Sequence, residues 1–106
     1  MSAPVTAGDD VKVDYSVGIE ITPSATNWVL DLELRLYRNS TLIDTRIFIR
    51  SQTQNTIQRF PITSTHVDTV PATATDTYSL RTFVVTATNI TSATANNADI
   101  NAIVFP

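Results

Sequence analysis

Cysteine is absent from this chain of 106 residues, and glycine occurs only at Gly8 and Gly18. Without cysteine, neither disulfides nor thiolate metal sites can hold the fold together. Two isolated glycines cannot form a glycine-rich phosphate-binding loop, which excludes nucleotide binding by that route. Stability must therefore come from packing, hydrogen bonding and assembly.

Charged residues are scarce as well. They make up 16% of the chain, and the net charge is −3, whereas about a quarter of the residues are charged in a typical domain. Six of the seven basic residues are arginines, and they are not clustered. A nucleic-acid surface usually shows a clustered basic stripe, so we expect no nucleic-acid partner.

Long apolar runs are missing too. No stretch approaches the roughly 20 residues of a membrane-spanning helix, and the opening MSAPVTAGDD lacks the basic start and apolar core of a secretory signal. We therefore expect synthesis in a cytoplasm without a signal peptide, and no membrane partner. A later place in a cell-surface, spore-surface or virion assembly is compatible with this expectation.

Alternating polar and apolar residues dominate what is present. The alternation runs from Val11 to Ile21, from Leu30 to Tyr37 and from Ile43 to Arg50, and a period of two is typical of half-buried strands. The last two runs flank a turn that contains Asn39, which predicts a β-hairpin.

Charged residues on the two arms of this hairpin are expected to pair across its polar face. They are Asp31, Glu33 and Arg35 on the first arm, and Asp44, Arg46 and Arg50 on the second.

The remainder of the chain also has the composition of strands. Ile57 to Ile62 predicts a short strand interrupted by Pro61, and residues 66–76 predict a loop. Thr77 to Thr88 predicts a central strand covered on both faces, because both of its faces carry apolar residues. One further short strand before a closing strand, Ile100 to Phe105, completes the prediction.

We predict a single all-β domain, because no helix of useful length fits the sequence. Seven or eight strands separated by turn signals favour an antiparallel β-sandwich of jelly-roll topology, with an immunoglobulin-like sandwich as the alternative. Residues 1–10 are predicted to be a flexible N-terminal arm, and residues 11–106 the sandwich.

The C-terminal half of the chain resembles a known family. The carrying segments are DTVP at Asp68 to Pro71, TYSLR at Thr77 to Arg81 and INAIVFP at Ile100 to Pro106. They are similar to the compact trimeric jelly rolls of the tumour-necrosis-factor and complement-head type. Within that group they are most similar to bacterial spore-surface versions, such as exosporium hair heads and spore appendages, and to phage structural proteins. The resemblance implies self-assembly, with the last strand close to a trimer axis.

Catalytic and metal chemistry is not expected. His66 is the only histidine, and Asp68 lies two residues away, a spacing that on a strand would put both side chains on one face. No nucleophile motif accompanies this pair, so we predict a polar loop or interface histidine and no enzyme. Asp9, Asp10 and Asp14 match no calcium-loop spacing and are predicted to be a solvated acidic entry to the first strand. No cofactor or metal is expected.

Aromatic residues offer a second class of function. Trp28, Tyr15, Tyr37 and Tyr78 are candidates for a carbohydrate-stacking surface, although large aromatic side chains more often build cores and interfaces. As candidate ligand-loop residues we take Trp28, Tyr37, His66 and Asp68.

The leading hypothesis is a non-enzymatic structural protein that assembles with itself into a trimer, a fibre or a surface layer, with other spore-surface or virion proteins as further candidate partners. The alternative is a ligand-binding head that recognises carbohydrate or a receptor. The residues predicted to line subunit contacts are Ile103, Val104, Phe105, Phe83 and Val85.

Overall fold

A computed structural model describes all 106 residues and contains seven β-strands and no helix, which confirms the all-β prediction. The strands are β1 (Ser2–Val5), β2 (Asp10–Pro23), β3 (Trp28–Arg38), β4 (Thr41–Gln52), β5 (Gln58–Thr69), β6 (Ala74–Thr88) and β7 (Ile90–Phe105). None of its elements is a helix long and apolar enough to cross a bilayer.

The strands form two antiparallel sheets, with the orders β1-β6-β3-β4 and β5-β2-β7. Only the β3–β4 hairpin stays within one sheet, and every other connection crosses to the opposite sheet, in agreement with the predicted jelly-roll sandwich. An immunoglobulin-like sandwich places its first two strands side by side. Because β1 instead lies beside β6, the immunoglobulin-like alternative is wrong.

The core lies between the two central strands, β2 and β3. Their alternation sends every second side chain inward, and these side chains are almost completely buried. On β2 they are Val11, Val13, Tyr15, Val17, Ile19 and Ile21, and on β3 they are Trp28, Leu30, Leu32, Leu34 and Leu36. Leucines on a strand are therefore accommodated here by burial, which outweighs their modest strand propensity.

The predicted hairpin is confirmed, but the predicted pairing of its charges is wrong. Asp31 lies opposite Ile49 and Glu33 opposite Ile47, whereas Arg46 lies opposite the buried Leu34. The turn at Asn39, with a φ of 55°, and a bulge after Leu36 set this register. Because a strand alternates with period two, this register turns every charged side chain of β4 inward.

Two segments of β-structure differ from prediction at the edge of the four-stranded sheet. Residues 1–10 are not a free arm, because β1 pairs with Ala74 to Thr77 of β6 and buries Ala3 and Val5. The strand β6 is not covered on both faces, since residues 81–89 are exposed. In addition, β1 is only 4 residues long, so the second half of β6 has no neighbouring strand on that side.

The predicted short strand and closing strand are one element. The strand β7 runs for 16 residues from Ile90 to Phe105 along β2, with a bulge opposite Ser16 and Gly18. A Cβ atom at Gly18 would lie 3.3 Å from the carbonyl oxygen of Asn96, so glycine permits this close approach of the two strands. The long strands give the protein principal extents of 51 × 19 × 15 Å.

Candidate functional site

A buried ion pair connects the two sheets at one end of the sandwich. The Arg38 Nη1 atom donates to Asp68 Oδ1 at 2.6 Å, and the Tyr78 hydroxyl donates to Asp68 Oδ2 at 2.9 Å. Burial, followed by the bond to Asp68, raises the pKa of the Tyr78 hydroxyl. The bond to Asp68 likewise raises the pKa of the Arg38 guanidinium. Both oxygens of Asp68 are thus engaged within the fold, and because the residue is almost completely buried it is not accessible to an outside ligand.

His66 and Asp68 share a face of β5, as their spacing predicts, because they lie opposite the buried Val13 and Val11. They do not form a pair, however. The His66 Nδ1 atom lies 3.8 Å from Asp44 Oδ2 on β4. His66 and Asp68 have different partners because they face different strands of the opposite sheet. Asp68 contacts β3 and β6, whereas His66 lies near β4.

Around His66, the inward-facing charges of β4 form a polar cluster at the rim of the sandwich. The Tyr15 hydroxyl donates to Asp44 Oδ2 at 2.6 Å, and Arg46 Nε lies 3.2 Å from the same oxygen. Burial and the bond to Asp44 raise the pKa of the Tyr15 hydroxyl. This cluster connects β2 to β4 across the interior through hydrogen bonds and ion pairs.

Both raised tyrosine pKa values predict a loss of stability at alkaline pH. Tyr78 stays neutral in the fold above the pH near 10 at which an unfolded tyrosine ionises. Its contribution is therefore complete below about pH 10 and falls as pH rises beyond it, by up to about 1.4 kcal/mol per pH unit. Urea unfolding between pH 8 and 11 measures this slope, and Tyr78→Phe should make it shallower. An identical slope in the variant would contradict the prediction.

The candidate aromatic surface is largely buried. Trp28 has 0% exposure, and its indole nitrogen donates to the Gln54 carbonyl oxygen at 3.0 Å. Tyr15 and Tyr78 are buried too, so Tyr37 alone of the four reaches the surface, where Arg81 lies 4.9 Å above its ring. Trp28 therefore packs in the core and cannot stack on a sugar.

The acidic residues near the N-terminus point to separate partners. Asp9 accepts a bond from the Thr6 backbone nitrogen at 2.8 Å, whereas Asp10 and Asp14 accept bonds from the hydroxyls of Thr69 and Thr65, both at 2.6 Å. No group of three or more histidine or acidic side chains comes together.

Four of the five predicted interface residues are exposed, but they lie on opposite faces of the sandwich. Ile103 and Phe105 are opposite Lys12 and Asp10 on the outer face of the three-stranded sheet, with 46% and 52% exposure. Phe83 lies on the outer face of the four-stranded sheet with 50% exposure, and Val85 is exposed at the neighbouring bulge. Val104 instead points inward, opposite Val11, and packs against the core.

Exposed apolar residues on β4 were not predicted as part of this set. Ile47 and Ile49 have 67% and 63% exposure on the outer face of the four-stranded sheet. Sequence alternation alone placed them on the same side as the core, since it does not reveal which face of a strand is buried. The register with β3 was the missing information.

The two lateral openings of the sandwich differ in chemistry. On one side, β4 and β5 face each other, and their inward residues include Asp44, Arg46 and Arg50, while β5 also contains Pro61. Inward-pointing charges and proline are features that prevent edge strands from pairing with other chains. We call this side the guarded edge.

On the other side, β6 and β7 face each other, and we call this side the open edge. Its strands lack such features: from Ser79 to Phe105 the only charged residues are Arg81 and Asp99, and there is no proline. Inward-facing Val84 and Ala95 lie opposite buried Leu32 and Ile19, yet both are exposed because no strand lies beyond them.

Surface depressions are shallow, and few hydrophobic residues line the larger ones. The largest has a volume of about 420 Å³ and lies at the β7 bulge, beside Gly18, Arg59, Pro61 and Asn97. In comparisons with known proteins, the chain matches no protein-family model, no curated protein and no solved structure.

Proposed function

We propose that this protein is a non-enzymatic structural subunit that associates with copies of itself, as a trimer or as a repeating unit of a fibre or surface layer. The observation that carries the proposal is the open edge, where two long strands present unpaired backbone and apolar side chains with almost no charge. A bacterial spore surface is the setting that the family resemblance suggests.

The free backbone of the open edge supports association with another strand. The strand β7 is hydrogen-bonded only to β2, and β6 has no partner on its outer side after Tyr78. A long edge with a row of unpaired N–H and C=O groups and little charge is a template for pairing with another chain. In an isolated monomer this edge would promote aggregation. A specific partner strand would occupy the edge and prevent aggregation.

The side chains at this edge support the same proposal. Val84, Val85 and Ile103 are each about half exposed at or near the open edge, and a partner that covered them would remove apolar area from water at about 25 cal/mol per Å². The scarcity of charge means that little electrostatic repulsion and little desolvation of charged groups oppose such a contact. Association by both backbone and side chains therefore fits this region better than a small-molecule site does.

Replacing an aromatic residue on the last strand tests this proposal. We expect the wild-type protein to form a defined oligomer or filament in size-exclusion chromatography with light scattering and in electron microscopy. Phe105→Ser should lower the association constant at least tenfold while the fold is retained, because the ring is 52% exposed. Serine is chosen since an acidic replacement would face Asp10.

Ile57→Ser is the matched control, since Ile57 has 56% exposure and lies outside the strands. We expect it to assemble like the wild-type protein. A wild-type protein that remains a monomer at every concentration would overturn the proposed function.

The ligand-binding alternative gains no support from the geometry. Of its four candidate residues, Trp28 and Asp68 are buried and His66 faces the interior. Only Tyr37 retains a surface position.

A further inference from the structure

The outer face of the four-stranded sheet carries an apolar patch with acidic residues at its centre. Glu33 of the central strand β3 lies between Ile47 of β4 and Phe83 of β6. In the next row, Asp31 lies beside Ile49. The three apolar side chains have 50% to 67% exposure. We call these five residues patch A.

The outer face of the three-stranded sheet has the same design with the opposite charge at its centre. Lys12 of the central strand β2 lies between Val67 of β5 and Ile103 of β7. In the next row, Phe105 lies beside Asp10. The three apolar side chains have 46% to 56% exposure. We call these five residues patch B.

The charges beyond one end of each patch are also complementary. Beyond Glu33, in the next row of the four-stranded sheet, Arg35 lies opposite Arg81. Beyond Lys12, the next outward residue is Asp14, and Asp99 follows in the row after it. Outward residues on a strand recur about every 7 Å. A second copy that places Lys12 opposite Glu33, with Arg35 on the side of Asp14, thus brings two arginines near two carboxylates. The same alignment places Asp31 opposite Asp10, so the attraction is concentrated at the centre of the contact and at its Arg35 end.

Competing contacts within each copy do not remove this complementarity. Glu33 bonds to Arg35 at 2.7 Å, and the Arg35 guanidinium lies 4.5 Å above the Phe83 ring. Lys12 has only a 3.8 Å contact with Asp14, and Asp31 takes part in no salt bridge. Lys12, the only lysine of the chain, is therefore free to turn towards a partner.

We propose that patch A of one copy docks on patch B of the next, so that sandwiches stack face to face. This inference rests on the proposed self-assembly and specifies one of its contacts. Because the patches lie on opposite faces of one molecule, the contact joins two different surfaces and is heterologous. In a pair of docked copies, patch B of one and patch A of the other remain free to bind further copies. Interfaces of this type close into rings or continue as open filaments.

Reversing the central charges tests the docking. Lys12→Glu places a carboxylate against Glu33 of the next copy, and Glu33→Lys places an ammonium group against Lys12. Each variant alone should associate at least tenfold more weakly than the wild-type protein, because opposed like charges disfavour an interface. Light scattering across a concentration series measures this change.

An equimolar mixture of the two variants should recover assembly, because alternating copies then oppose Lys12 to Glu33 and the introduced glutamate to the introduced lysine. This recovery would also show that both variants fold. The control is Arg59→Glu, which makes the same change in charge as Lys12→Glu at a residue outside both patches, and it should assemble normally.

The outcomes separate the two proposals. Normal assembly of Lys12→Glu, equal to that of the wild-type protein and of Arg59→Glu, would overturn face-to-face docking and leave self-assembly standing. Failure of the mixture to assemble would also overturn docking by these patches. A wild-type protein that never associates would overturn self-assembly itself.

Discussion

Asp68→Ala should destabilise the protein by about 3–5 kcal/mol, because removing one partner of a buried ion pair leaves the other charge uncompensated. The side chains of Arg38 and Asp68 are only 15% and 7% exposed, and the Tyr78 hydroxyl would lose its acceptor as well. Since a whole domain is stable by only about 5–15 kcal/mol, this is a large fraction of the total. Urea unfolding followed by circular dichroism measures the change.

Glu20→Ala is the matched control for this substitution. It removes the acidic partner of Arg59 from a pair in which the Arg59 side chain is 77% exposed. Exposed ion pairs contribute less than about 1 kcal/mol, so we expect a midpoint close to that of the wild-type protein. Equal losses of unfolding free energy in the two variants would show that burial of the Arg38–Asp68 pair does not increase its contribution to stability.

Val84→Lys should abolish association at the open edge while leaving the monomer folded. Val84 points inward but has 46% exposure, so the lysine stem can lie along the apolar surface and its ammonium group can reach water. The substitution gives the open edge an inward-pointing charge of the type already present on the guarded edge, where such charges oppose pairing. We expect light scattering to show weaker association than that of the wild-type protein at equal concentration, because only the contact between patches A and B would remain.

Leu42→Lys adds the same charge to β4, at a residue with 47% exposure. Because β4 belongs to the guarded edge, we expect this variant to assemble as the wild-type protein does. If Leu42→Lys dissociates the oligomer and Val84→Lys does not, the assignment of the contact to the open edge is wrong.

The strands that form the core were the most predictable part of the fold. The alternation from Val11 to Ile21 is strict, and every apolar residue in it is buried. A strand between two neighbours with one face on the core has its whole pattern imposed by burial. Local sequence was therefore sufficient for β2 and for the leucines of β3.

Edge strands were less predictable, because their pattern does not report which face is buried. On β4, isoleucines alternate with charged residues, and the alternation suggested that Ile47 belongs to the core. In the fold, Ile47 is exposed and Arg46 faces inward, since charged side chains at a rim can reach water from either face. The inward face of β4 depends on a turn and a bulge, and the turn residue Asn39 is held by hydrogen bonds to Asp76 and Thr77 of β6, which are distant in the sequence.

Candidate site residues were predicted only in part, for the same reason. The apolar C-terminal strand drew attention to Ile103 and Phe105, whose exposure agrees with a surface role but does not test it. Each of the two patches combines residues from three neighbouring strands, so no continuous sequence motif could predict it. Nor does any spacing in the sequence indicate that Asp68 would meet Arg38 and Tyr78.

Trp28 has a practical consequence as the only tryptophan of the chain. Its ring is wholly buried beside Phe60, at a centroid distance of 6.1 Å, and its nitrogen is bonded to Gln54. Its fluorescence emission should therefore change when the sandwich unfolds and remain constant when copies separate. A single intrinsic probe thus distinguishes denaturation from dissociation in every variant described above, without a label on either patch.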